Sequence, residues 1–334
     1  MVLKKQWEYK IKGLRQAIAS ADGVLMDGQL YFALCYCKGS FFESRLICFN
    51  IKEREPEVLF ERPHVIRSMG DALAGKFYFN AFSGMMYCID GADGRVIWET
   101  GLGDGNPDWH ICVDGGRLYA YNRAMYCLDR ETGEILWRSG QRSEHANCHI
   151  LIRGDRLYHG VSCGPVYCME KSTGNMIWQY GEKQYVRSCT FLDDRTLMAC
   201  TAGGSILILD AAAGGLLSEV KTGGALYMEP LIHEGAVYLG NDDGDMICWE
   251  IGADRGLVER FRYQADGKVS TPAVLDGEAL WFGTEDGYLY CLDAGSGQER
   301  VKKKKVSATP RCMFLYGEEL VVLSDKGQVE CFSK

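Results

Sequence analysis

Short apolar runs alternate with glycine-bearing turns along the whole chain, and one run keeps returning. It reads Leu46-Ile47-Cys48-Phe49, then Met86-Tyr87-Cys88-Ile89-Asp90, Met125-Tyr126-Cys127-Leu128-Asp129 and Val166-Tyr167-Cys168-Met169-Glu170. It continues as Ile206-Leu207-Ile208-Leu209-Asp210, Met246-Ile247-Cys248-Trp249-Glu250, Leu289-Tyr290-Cys291-Leu292-Asp293 and Val329-Glu330-Cys331-Phe332. With the Cys (Ile208 in the fifth copy) as marker, the spacings are 40, 39, 41, 40, 40, 43 and 40 residues. Such regularity defines a repeat.

The same grammar surrounds each marker. About ten residues upstream stands an aromatic-rich strand, such as Lys76-Phe77-Tyr78-Phe79 or Ala279-Leu280-Trp281-Phe282. Between it and the marker lies a tight turn, for example Asp243-Gly244 or Asp286-Gly287, where Gly supplies the positive φ of a short hairpin. An acidic residue and a second turn follow, then a strand marked by Trp98, Trp137 or Trp178, each eight residues past the acidic position. One more short strand, such as Thr271-Pro272-Ala273-Val274-Leu275, precedes all of these.

Four short strands per forty residues make a propeller blade, whereas a helical repeat would show a 3.6-residue spacing. The last copy stops three residues after Cys331, and Trp7-Glu8-Tyr9-Lys10-Ile11 fits the outer strand it lacks. The pattern therefore predicts an all-β, eight-bladed β-propeller of four-stranded antiparallel blades, with the N-terminal strand completing the last blade. One domain over residues 1–334 is expected, with blades that differ by only a few residues.

Composition agrees: 47% hydrophobic and 25% charged is globular, and 40 Gly against 7 Pro suits many tight turns. A net charge of −8 argues against broad nucleic-acid binding, which needs a basic surface. No apolar run reaches membrane-spanning length, and the N-terminus has no apolar leader region, so a cytoplasmic location and no membrane span are expected. Fifteen cysteines could suggest a disulfide framework, but seven of them (Cys48, Cys88, Cys127, Cys168, Cys248, Cys291 and Cys331) recur at one third-strand position. A compact apolar residue packed between blades explains them better.

The stretch from Met125 to Trp137, Leu-Tyr-Cys-Leu-Asp-x-x-Thr-Gly-x-x-x-Trp in its general form, resembles the repeat of the pyrroloquinoline-quinone (PQQ)-like propellers. That resemblance covers essentially the whole chain. It implies an outer-strand Trp docked between neighbouring blades, and a fold shared by quinoprotein dehydrogenases and non-catalytic binding modules. The dehydrogenases imply a vicinal Cys-Cys disulfide, a metal held by acidic and amide side chains, and a catalytic Asp. No Cys-Cys pair is present; Cys35-Tyr36-Cys37 is the nearest approach.

The most informative candidates stand where each innermost strand begins. Aligning the repeats places Arg15, Arg67, Trp109, Arg187, Tyr227, Glu229 and Arg311 there, with His110 and His149 at equivalent positions in adjacent repeats. Arg offers a planar fork for carboxylate or phosphate, and aromatics add flat contact area. The competing expectation is that these Arg are neutralised by Asp108, Glu229 and other loop acids. Lys302-Lys303-Lys304-Lys305 reads as a protruding loop or strand end, and Asn241-Asp242-Asp243-Gly244-Asp245 as a hairpin turn lacking the Glu of a calcium loop. No nucleophile elbow, P-loop or zinc-protease motif occurs, and no catalytic residue or metal site is expected. The expected function is a non-catalytic, monomeric binding propeller that takes a protein partner or an anionic small molecule at the channel mouth, which these strand starts are expected to ring. The alternative is an oxidoreductase holding PQQ with the same Arg set.

Overall fold

The computed structural model describes residues 3–11, 15–38, 41–62, 66, 71–103, 111–140, 148–161, 164–182 and 185–334. Its strands are β1 (Lys4–Tyr9), then β2 (Arg15–Met26), β3 (Gln29–Lys38), β4 (Phe41–Asn50) and β5 (Glu55–Arg62) of the first blade. The second blade is β6 (Asp71–Leu73), β7 (Lys76–Asn80), β8 (Met85–Asp90) and β9 (Val96–Gly101). The third is β10 (Ile111–Asp114), β11 (Arg117–Tyr121), β12 (Met125–Asp129) and β13 (Ile135–Arg138). The fourth is β14 (Leu151–Arg153), β15 (Arg156–Gly160), β16 (Val166–Glu170) and β17 (Met176–Tyr180). The fifth is β18 (Val186–Phe191), β19 (Thr196–Thr201), β20 (Ser205–Asp210) and β21 (Leu216–Lys221). The sixth is β22 (Leu231–His233), β23 (Ala236–Gly240), β24 (Asp245–Ile251) and β25 (Leu257–Gln264). The seventh is β26 (Val274–Asp276), β27 (Ala279–Gly283), β28 (Tyr288–Asp293) and β29 (Glu299–Lys305). The last holds β30 (Pro310–Tyr316), β31 (Glu319–Ser324) and β32 (Val329–Ser333), and β1 joins it in the order β1-β32-β31-β30.

Eight four-stranded antiparallel sheets thus form an eight-bladed β-propeller fold, with the N-terminal strand as the fourth strand of the last blade. The register makes the equivalence concrete. Cys88 pairs with Trp98, Cys127 with Trp137 and Cys168 with Trp178, and Trp7 pairs with Cys331 in the same way. The chain groups into two compact units, one of residues 1–21, 190–211 and 216–334, the other of residues 22–189 and 212–215.

Within each unit the outer-strand aromatic docks on the next blade, as the repeat implies. A Cβ on Gly133 would lie 2.6 Å from Trp98, one on Gly174 2.5 Å from Trp137, and one on Gly214 2.5 Å from Trp178. Phe261 stands against Gly297 in the same manner, again at 2.5 Å. Each of these glycines also has a positive φ, so the turn and the close approach both require it. Where the fifth blade has Ser218 at the aromatic position, the next blade carries Arg255 in place of that Gly. Trp98 and Trp178 are buried, whereas Trp7 and Trp137 are only half-buried.

Six of the seven recurring cysteines are buried; Cys48 is half-buried and has Glu57 as its cross-strand partner. Two expectations need correction. The innermost strand of the seventh blade begins at Val274 rather than Thr271, because Thr271 accepts the Gly283 N–H through its hydroxyl and Pro272 has no N–H to offer. The blades are also less uniform than expected: β3 and β4 form ten residue pairs, while the corresponding hairpins of the other seven blades form five.

Candidate partner-binding face

In an antiparallel four-stranded blade, the start of the first strand, the turn between the second and third, and the end of the fourth lie at one edge. Backbone hydrogen bonds tie these parts together. Asp242 N donates to Ala225 O at 3.0 Å, Glu285 N to Lys268 O at 2.8 Å and Asp325 N to Thr309 O at 2.8 Å. In three successive blades, then, the segment leading into the inner strand is pinned to the hairpin turn of its own blade.

Arg311 is the second residue of β30, at a β-bulge: Pro310 pairs with Ser324 and Cys312 with Leu323, leaving Arg311 as the extra residue. A bulge re-aims a side chain without breaking the strand. Its guanidinium is half-buried, its Nε is buried without an acceptor, and among the described residues it has no ion pair. The expectation that Glu229 or a loop acid neutralises it is not met. Lys268, by contrast, pairs with Asp242 at 3.2 Å, and Ser270 Oγ donates to Pro310 O at 2.9 Å. In the same unit, Tyr227 is 43% exposed and Glu229 half-buried, flanking the segment that Leu226 anchors by donating its N–H to Thr201 O at 3.2 Å.

In the other unit, Arg187 is the second residue of β18, half-buried between buried Val186 and Ser188. Val186 is pressed against Gly160, where a Cβ would lie 2.4 Å from it, and Tyr185 just before it has a φ of 52° and is 47% exposed. His149 lies two residues ahead of β14 and is half-buried. Arg67, Trp109 and His110, with the acid Asp108 and the side chain of Arg15, lie outside the described residues.

Two features escaped the sequence reading. The first is the long β3–β4 hairpin, whose extra five pairs add about 17 Å at about 3.4 Å per residue. Tyr36 Oη lies 2.9 Å from Glu43 and 2.7 Å from Glu61, Arg45 donates to Glu61 at 3.1 Å, and Lys38 pairs with Glu43 at 3.0 Å. Burial and the two carboxylates push the Tyr36 phenol up, and the hydrogen bonds from Tyr36 and Arg45 hold Glu61 below the usual carboxylate range. This network stiffens the arm, and Phe42 stands beyond it at 50% exposure. The signal was present: 17 residues separate Tyr31 from Cys48, against eight to ten between the matching pair elsewhere. The second is His159, fully buried, its ring 4.7 Å from that of Tyr121.

The described residues do not fit a quinone and its metal. Among them no group of three His, Cys, Asp or Glu is placed to hold a metal, and Cys35 and Cys37 face Ser44 and Phe42 within the long hairpin. The Asn241 turn is accounted for by its own bonds, since Asn241 Oδ1 accepts from the N–H groups of Asp243 and Asp245, and Arg262 pairs with Asp245 at 2.6 Å. Among the described residues no helix is long and apolar enough to cross a membrane.

No curated protein matches the chain in sequence. Among solved structures, BamB from Moraxella catarrhalis is similar over 100% of both chains, with 15% identity and a TM-score of 0.72. Saccharomyces cerevisiae Sqt1 matches over 100% of both, with 11% identity and a TM-score of 0.77. A europium-containing methanol dehydrogenase matches over 99% of this chain and 93% of its own, with 11% identity and a TM-score of 0.73. At such identities these likenesses establish the fold alone. A family model described as outer membrane protein assembly factor BamB matches residues 83–304, two thirds of the chain. With its PQQ-like repeat and docked tryptophans, the chain belongs to that family of propellers.

Proposed function

We propose that this protein is a non-catalytic binding propeller that engages a protein partner, and that the start of its last inner strand receives an anionic group of that partner. The observation that carries the reading is Arg311: an arginine set on a bulge, half-buried, with a buried Nε that has no acceptor and no ion pair among the described residues. Desolvating a guanidinium without a counterion is unfavourable, and a partner's carboxylate or phosphate would complete it. The family's description as an assembly factor suits a role exercised on another protein. The stiffened hairpin with exposed Phe42 offers the aromatic anchor that protein interfaces favour. The fourteen cysteines among the described residues are free, which suits a reducing compartment, and we infer the cytoplasm.

The test is a photo-crosslinking residue at Lys326, in the exposed turn of the same blade, introduced in the cells of origin. One discrete protein adduct is expected, and Arg311→Gln should remove it while the melting temperature stays within about 1 °C, as for a surface change. An adduct unaffected by Arg311→Gln, or no adduct, overturns the reading.

A further inference from the structure

The outer strand of the seventh blade is unlike every other. β29 carries Arg300, Lys302, Lys303, Lys304 and Lys305, whereas no other outer strand has more than two cations. This concentration sits in a protein of net charge −8.

Lysines on an edge strand can serve only to prevent unwanted strand pairing. That need is already met here by another device. In all eight blades the pairing of third and fourth strands is interrupted by a register shift, which spoils the edge as a template. The other seven outer strands manage with this and two cations at most, so edge protection does not explain four consecutive lysines.

The four differ in what they meet, and a register shift between Val301 and Lys304 interrupts the strand's alternation. Lys303 and Lys305 lie over the Tyr288 ring at 5.0 and 4.4 Å; Lys303 is paired with Asp266, and Lys305 donates to the Asp286 carbonyl. Lys302 is exposed and Lys304 half-buried, and neither has an ion pair among the described residues.

We propose that β29 is a docking edge for an extended acidic peptide segment of a partner protein, whose Asp or Glu side chains meet Lys302 and Lys304. A long polyphosphate fits less well. The lysine row spans only about 10 Å, and Asp266, Asp286 and Glu299 border it and would repel a nucleic-acid backbone running past its ends.

The probe is a fluorescein-labelled peptide with Glu at alternate positions and Thr between, titrated by anisotropy at about 50 mM salt. Binding is expected, and it should weaken several-fold at about 200 mM salt, as a screened charge contact must. Lys302→Glu/Lys304→Glu should weaken it at least about tenfold, the scale expected when a charge contact becomes repulsive. The Gln pair at the same positions keeps the test valid if charge reversal perturbs folding, and should weaken binding to a lesser degree. Lys221→Gln, at the end of the exposed outer strand β21, should bind the peptide normally, which shows that the β29 lysines and not any surface cation hold it. Equal binding by the Lys variants, no binding below about 1 mM, or tighter binding of a single-stranded oligonucleotide of equal charge overturns the proposal.

Discussion

Trp137 lies against the backbone of Gly174 so closely that a Cβ there would stand 2.5 Å from its Cζ3, and Gly174 itself has a φ of 73°. Neither residue can change alone without disturbing the other. Gly174→Ala should cost about 1–3 kcal/mol through strain and displacement of the ring. Trp137→Ala, at a half-buried site, should cost about 3 kcal/mol, the low end for a large aromatic. The double variant should lose less than the two sums together, because the clash vanishes with the ring. Urea unfolding of the four proteins measures this, and strict additivity would show that the ring is not seated on that turn.

Thiol reactivity should separate folded from unfolded protein sharply. Ten of the described cysteines are buried and four half-buried, and burial pushes Cys88 up to about 11 and Cys291 up to about 12. At pH 8 the Cys88 and Cys291 thiols are protonated and burial shields all ten, so a thiol-specific reagent should modify them only as fast as the blades open. In denaturant and without air, all fifteen should react. A native protein that reacts fully within seconds contradicts the packing role.

His159 makes stability depend on pH. Burial lowers it from 6.5 to about 3. Between those values the unfolded chain binds a proton that the folded chain does not, so stability falls as pH drops, by about 1.4 kcal/mol per unit at most. Above pH 6.5 both states are neutral there and the contribution is constant. His159→Phe should flatten the slope of unfolding free energy between about pH 6 and pH 4; an unchanged slope would assign it to other groups.

The N-terminal strand is held by charge as well as by backbone pairing. Lys5 forms an ion pair with Glu330, which is 1% exposed and also accepts from Ser307 N at 2.9 Å. Lys5→Met leaves that carboxylate buried without its cation and should cost about 2–3 kcal/mol, moderated because Lys5 is 30% exposed. Adding Glu330→Gln should recover much of the loss. Chemical denaturation of the single and double variants checks both statements.

The blade order and the register were legible in the chain because they rest on local periodicities. An alternating strand buries one face wherever it lies, a Gly at positive φ marks a turn whatever surrounds it, and a forty-residue period repeats both. Even the pairing of Trp7 with Cys331 followed from matching one copy against another. The candidate site was legible only as a list of positions. Whether an arginine there is neutralised depends on side chains brought in from distant parts of the chain. Lys268 meets Asp242 from the preceding blade, while Arg311, the extra residue of a one-residue bulge, meets no acid among the described residues. The same holds for the lysine strand, where Asp266 engages Lys303 across 37 residues and leaves Lys302 without an ion pair among the described residues. Repeats declare their backbone because every copy must solve the same packing problem; their charges differ from copy to copy, and only the packed blades decide which of them are matched.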